Sequence, residues 1–344
     1  MVDWRFHVQI SEPGQLESHF PECQSLIVRS PYELGQPIDF FSAFRRLCLE
    51  EKFDVVHVHA DLMSAPYLAA ARTAGVRRLI VHVHNADEHL PTSNPVKKRL
   101  LREPMRRFCL SMADRIVGIS NHTLDTFLAG RPRRPERDSV QLYGVDPKSF
   151  ENATGDRARF RRGCGLPDDA LILLFAGRIV PEKNPLFVVD VLAGLRRLQC
   201  NAFAVFAGSG SEVDNIIARA KALGVDGVVR MLGWRSDLAE VMSCSDWFIL
   251  PHPEHPPEGF GLAVVEAQLA GLRMLLSPGV QDDPLLPTAS FRRLSLCDKP
   301  YEWAEAAMEL FHENSPSRSD AIAALNESPM NMDNALNGLL SLYA

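Results

Sequence analysis

The stretch DWFILPHPEHPPEGFGLAVVEAQLAGLRMLLSP, residues 246–278, decides the fold. A β-rich run (246–251) leads into a proline-rich loop, an apolar helical pattern (262–271) and a second β-rich run (273–278). That order is a βαβ unit, whose two strands lie parallel. The same alternation extends along most of the chain. Residues 25–28, 54–60, 78–84, 115–120 and 139–144 predict strands, with helices over 38–51, 63–75, 95–113 and 121–129. A second series has strands at 170–177, 201–208 and 228–233 besides the two runs above, with helices at 185–199, 211–223 and 236–244. Two successive series predict an α/β chain of two doubly wound parallel-sheet, Rossmann-like domains, 1–150 and 151–327, joined by the polar segment 146–168. A final helix in 328–344 is expected to pack back on the N-terminal domain. Ligands of such sheets bind beyond the carboxyl ends of the strands.

Composition narrows the function. The 344 residues exceed one ordinary core, and 46% hydrophobic with 23% charged residues describes a water-soluble globular chain. No apolar run of about 18 residues exists to span a bilayer. The opening MVDWRFHVQI lacks the basic-then-apolar pattern of a secretory signal. Seven cysteines at 23, 48, 109, 164, 200, 244 and 297 form no C-x-x-C pair, which fits reduced thiols in a cytoplasmic protein. The net charge of −6 is uneven: residues 1–165 hold 24 Lys+Arg against 20 Asp+Glu, and the remainder 13 against 23. A basic front half points to an anionic surface or substrate, not to nucleic acid.

Three loops carry candidate chemistry. Gly177, Arg178 and Lys183 lie in AGRIVPEKNP, after a predicted strand and before a helix. Two cations five residues apart in such a loop can converge on one anion, a diphosphate above all; solvated surface charges are the alternative. The next strand ends in AGSGSE, where Gly208 and Gly210 permit close approach of a ligand or simply a tight turn. In EGFGLAVVEAQ, Glu258 precedes the turn of Gly259, Phe260 and Gly261, the helix starts at Leu262, and Glu266 lies about one turn inside it. The unpaired N–H groups at that helix start suit an anion. Carboxylates beside a phosphate are repelled by it, so both glutamates fit acceptance of hydrogen bonds from sugar hydroxyls. For Glu266 the alternative is a charge complementing the helix dipole.

GRIVPEKNP, GSGSE, MLGWRSDLAEVMSCSDWFILP and EGFGLAVVEAQLAGLRMLLS together resemble the nucleotide-binding half of glycosyltransferase family 4, the group 1, retaining enzymes of GT-B fold. The two glutamates with seven residues between them are that family's signature. The resemblance implies two Rossmann-like domains facing a cleft, a nucleotide-diphosphate sugar as donor (uridine diphosphate by expectation), and no metal or other cofactor. It implies that Arg178 and Lys183 grip the donor diphosphate, that Gly177, Gly208, Gly259 and the amides around Phe260, Gly261 and Leu262 meet phosphate and sugar oxygens, that Glu266 holds the ribose and Glu258 the moving sugar, and that Arg235 flanks the base.

The front half, FDVVHVHADLMSAPYLAAARTAGVRRLIVHVHNAD, resembles the subset that builds exopolysaccharide and capsule repeat units, as does FRRLSLCDKPYEWAEAAMEL near the end. The acceptor is therefore expected to be a glycan or lipid-linked glycan. Two predicted strands end in His-x-His, His57/His59 and His82/His84, followed by Asn85. His59, His84 and Asn85 are expected on the acceptor side and His57 in the core; without a carboxylate pattern, no metal is expected here. Within NPVKKRLLREPMRRFCLSMADR, six basic residues over 97–107 alternate with apolar ones. This face suits an anionic membrane, the inner face of the plasma membrane for a cytoplasmic enzyme, or equally a solvated helix.

Two features depart from the family. Its Asn-Gly before the linker is Tyr143-Gly144 here. The chain opens at DWRFHVQIS, which resembles the family's second strand, and only Gly14 and Gly35 occur in the first 40 residues, so this sequence is expected to lack the family's first strand and its glycine loop. The expectation is a true start upstream of Met1 and a gap near the middle of the N-terminal sheet. An in-frame stop immediately before Met1 with no alternative start would exclude the upstream start. Two rival functions stay open: a nucleotide-sugar epimerase of the same architecture, and an inactive donor-binding partner subunit.

Overall fold

A computed structural model describes residues 2–9, 12, 17, 25–85, 95–314 and 317–344, and the backbone alone at 95 and 97–99. Gly14 and Cys23 fall outside these residues, as do the side chains of Lys97, Lys98 and Arg99 on the basic face. The chain forms two compact units, residues 1–140 with Tyr343, and 141–342 with Ala344.

The first unit contains β1 (Phe6–Val8), β2 (Ile27–Arg29), α1 (Pro37–Glu51), β3 (Val55–Val58), α2 (Ser64–Thr73), β4 (Arg78–Val83), α3 (Pro95–Met112), β5 (Arg115–Gly118), α4 (Asn121–Leu128) and β6 (Asp138–Val140). All its strand pairs are parallel, but they form two separate ladders, β1-β2 and β3-β4-β5-β6. His7 on β1 lies edge-on to Phe44 and Tyr67, with centroids 4.9 and 5.8 Å away. The core is built by the apolar faces of α1 and α2 (Phe40, Phe44, Leu68) against β3 and β4 (Val56, Val58, Leu79, Val81).

The second unit contains α5 (Lys148–Glu151), α6 (Arg157–Cys164), β7 (Leu171–Ala176), α7 (Pro185–Arg197), β8 (Ala202–Ala207), α8 (Val213–Ala222), β9 (Val229–Gly233), α9 (Leu238–Ser243), β10 (Trp247–Leu250), α10 (Leu262–Leu269), β11 (Arg273–Leu276), β12 (Phe291–Arg293), α11 (Pro300–His312), α12 (Arg318–Glu327) and α13 (Met332–Ser341). Its sheet is parallel, in the order β12-β11-β10-β7-β8-β9. β8, AFAVFA, is buried along its whole length. A strand covered on both faces reads as a continuous apolar run, not an alternating one. The order runs outward from β7 in both directions, so the topological switch point lies between β7 and β10. Their carboxyl ends carry the Arg178 loop and the 251–261 loop, as the rule for such sheets requires.

Three local outcomes differ from the pattern-based expectation. Residues 141–144 leave the sheet after β6, and Val145 pairs with Asn331 while Gln141 Nε2 donates to Ala335 O at 3.1 Å. The final segment thus contacts Gln141 and Val145, which lie within the 1–150 range expected of the N-terminal domain, although the compact units divide at 140, and its Tyr343 falls in the first unit. β12 forms in FRRLSLCDKP, where the pattern predicts no strand. The third concerns Gly208. A Cβ there would lie 1.9 Å from Gly177 O, and one on Gly210 would lie 2.1 Å from Ile179 O. Both glycines make room for the neighbouring backbone, which is zipped on by Gly177 N–H to Ala207 O (3.0 Å) and Ile179 N–H to Ser209 O (2.8 Å).

Gly208→Ala is accordingly expected to lower unfolding free energy by at least about 2 kcal/mol. Gly163→Ala, in α6 with open space at its Cβ position, should leave it unchanged or raise it by up to about 1 kcal/mol. Urea denaturation of both variants checks the contrast.

Candidate active site

The switch point of the second unit collects most of the anticipated residues. Lys183 lies across Gly177, whose Cβ position is 3.6 Å from Lys183 Nζ, and donates to Glu258 Oε2 at 2.8 Å. Both side chains are about one-sixth exposed, at 15% and 16%. The pair thus joins the loop after β7 to the loop after β10. Glu258 is fixed from behind by its own N–H, donated to Gly279 O at 2.9 Å. Arg178 stays exposed and makes no ion pair among the described residues, so its guanidinium is available to an external anion.

His252, not singled out by the motif, is buried beside this pair. Its Nε2 is 3.7 Å from Glu258 Oε2, and its Nδ1 lies 2.9 Å from Pro253 O. Burial lowers its pKa, against the opposing pull of the Pro253 carbonyl and Glu258. The proton therefore sits on Nδ1, donated to the carbonyl. Only its place in the PHPEHPP loop hints at this role.

α10 begins at Gly261, whose φ of +90° is a left-handed conformation that favours glycine. The Phe260 side chain is buried and packs edge-on against Tyr143 at 5.5 Å, so of Phe260 only the backbone is left to a ligand. Tyr143, standing where the family has asparagine, thus supports the turn. Glu266, one turn on, lines a cavity of about 320 Å³ together with 149–150, 152–153 and 236–240. Burial pushes its carboxyl up to about 7. Arg235 is held by Asp237, with Nε to Oδ1 at 2.7 Å, and so flanks the cavity with its charge already paired.

In the first unit, the carboxyl ends of β3 and β4 bring His59, His84 and Asn85 together around a residue that the motifs did not indicate. Asp61 is buried, with φ of +47°, and accepts from His84 N–H at 2.8 Å and Asn85 Nδ2 at 2.6 Å. His57 is only half-buried and meets Tyr343 Oη through Nδ1 at 2.7 Å.

The family model for glycosyl transferases group 1 matches residues 156–281, and that for the glycosyl transferase 4-like domain matches 11–140. The chain is 26% identical over 235 residues to the Escherichia coli UDP-Gal:alpha-D-GlcNAc-diphosphoundecaprenol alpha-1,3-galactosyltransferase, covering 67% of this chain and 59% of that enzyme. It therefore spans less than two thirds of that relative. Against the Bacillus subtilis glycosyltransferase EpsF, identity is 27% over 317 residues, covering 90% of this chain and 80% of EpsF. In three dimensions the chain is similar to Anabaena Alr3699/HepE solved with UDP, at a TM-score of 0.78 and 18% identity, covering 98% of this chain and 91% of that one.

The Glu266 carboxyl yields a stability prediction. Its folded pKa of about 7 lies above the ordinary value of 4.5, so it stabilises the fold below pH 4.5 relative to higher pH, and that contribution is lost as pH rises through 7. Glu266→Gln should match the parent near pH 4.5 and exceed it by up to about 3 kcal/mol at pH 8. Urea denaturation at the two pH values measures the difference.

Proposed function

Because family models match both of its halves, the chain belongs to the group 1 glycosyltransferases of family 4, with the GT-B fold, and we propose that it moves a sugar from a uridine diphosphate sugar to a glycan or lipid-linked glycan of a surface polysaccharide. The observation that carries this reading is the Lys183–Glu258 pair beside the unpaired Arg178, at the start of α10. It sets two cations and a helix N-terminus where a diphosphate can lie, with a carboxylate positioned for sugar hydroxyls. Glu266, with no partner of its own in the cavity, takes the ribose hydroxyls.

Transfer proceeds with retention. The acceptor oxygen attacks the anomeric carbon on the face from which the diphosphate leaves, the bond from that carbon to the phosphate oxygen breaks, and the acceptor proton passes to the departing phosphate oxygen. The protein need supply no nucleophile. It stabilises the charge growing on the diphosphate through Arg178, Lys183 and the α10 amides, in place of a metal ion. Glu258 both holds Lys183 Nζ in place and accepts from the moving sugar.

The uridine assignment draws support from the UDP bound in Alr3699/HepE and the UDP-galactose named for the E. coli relative, whose acceptor is a lipid diphosphate. His59, His84 and Asn85, the last two held by Asp61, are the acceptor-side groups. α3 presents Val96, Leu100 and Leu101 to solvent, with Arg107 exposed nearby, a face suited to an anionic membrane carrying such an acceptor. No helix among the described residues is long and apolar enough to cross a membrane.

Arg178→Ala and Lys183→Ala are each expected to cut turnover by at least about two orders of magnitude. Parent-like transfer in both would refute the diphosphate assignment. In thermal-shift measurements, uridine diphosphate sugars should raise the melting temperature more than guanosine or adenosine ones, since a ligand binding only the folded state stabilises it. Epimerised donor appearing without acceptor would favour the epimerase reading.

A further inference from the structure

The parallel register of β3 and β4 brings together two pairs of imidazoles that lie 25 residues apart in the sequence. His57 Nε2 faces His82 Nδ1 at 3.1 Å, and His59 Nδ1 faces His84 Nε2 at 2.7 Å. One ring nitrogen from each of His57, His59 and His82 falls within 4.8 Å of the others. We propose that His57, His59, His82 and His84 form a binding site for one divalent transition-metal ion of the zinc type, within the first unit and separate from the donor-binding residues.

The distances fit the ion. Zinc bonded tetrahedrally to nitrogens at about 2.0–2.1 Å sets them about 3.3 Å apart. Each of the two short nitrogen pairs approaches one edge of such a tetrahedron, and the nitrogens of His57, His59 and His82 already lie within 4.8 Å of one another. Neutral imidazole suits zinc, copper, nickel and iron, whereas carboxylate and water suit magnesium and calcium.

Groups around the rings are placed as supports of a metal site. Tyr343 Oη engages His57 Nδ1 and so leaves Nε2 to the ion. Asp61 fixes the His84 backbone and Asn85. His59, exposed to solvent, provides the entry path.

The test is calorimetric titration of the chelator-treated full chain with zinc, alongside the visible spectrum with cobalt(II). The expected result is one equivalent bound, with ligand-field bands of a nitrogen-coordinated tetrahedral ion and no thiolate charge-transfer band. His59→Ala/His84→Ala should weaken zinc binding at least about tenfold, the scale of a lost ligand or its support, while its metal-free melting curve and its affinity for UDP match the parent. His82→Ala is avoided because that ring is buried. No binding at micromolar zinc, an unchanged isotherm in the double variant, or a thiolate spectrum from the free cysteines would overturn the site.

Discussion

The donor half depends on one ion pair, Lys183 with Glu258, 75 residues apart in sequence and 2.8 Å apart in space. It closes the switch point of the sheet by tying the loop after β7 to the loop after β10. Both partners are largely withdrawn from water, so removing either one strands the other, at a cost of about 3–5 kcal/mol for a fully buried pair. Glycines shape the backbone around it: Gly177 has φ of +141°, a conformation that favours glycine, and a Cβ on Gly279 would meet Pro253 O at 2.1 Å. Arg178 makes no ion pair among the described residues, and the proposed donor diphosphate would complete a charge arrangement that is already half built.

The glycines of this region shape backbone before they shape a ligand site. Gly208 and Gly210 let the loops after β7 and β8 run against each other, which fixes where Gly177 and Arg178 emerge. The positive φ of Gly261 turns the chain so that α10 starts toward the same place. A motif rich in glycine therefore records contacts of two kinds, and only the built backbone separates them.

The repeated βα pattern made both sheets legible because parallel strands buried on two faces are continuous apolar runs. The EGFG loop and the glutamate spacing were legible as well, since loop, helix and strand occur there in direct succession. Asp61 was not, because its function arises from β3 and β4 lying side by side, and sequence order places His84 and Asn85 more than twenty residues away. The facing imidazoles escaped for the same reason. β12 was hidden by its length of three residues, and the place of α13 by a partner, Gln141, that the pattern put in a strand.

Glu258 and Glu266 share one motif but not one environment, and that difference bears on mechanism. Glu258 is ion-paired to Lys183, so its negative charge is balanced before any substrate arrives. Glu266 has burial and no cation, and its carboxyl stays protonated up to about pH 7. If Glu266 accepts the ribose hydroxyls of the proposed donor as a carboxylate, it must first release its proton, so donor affinity would gain a dependence on pH that the paired glutamate does not confer.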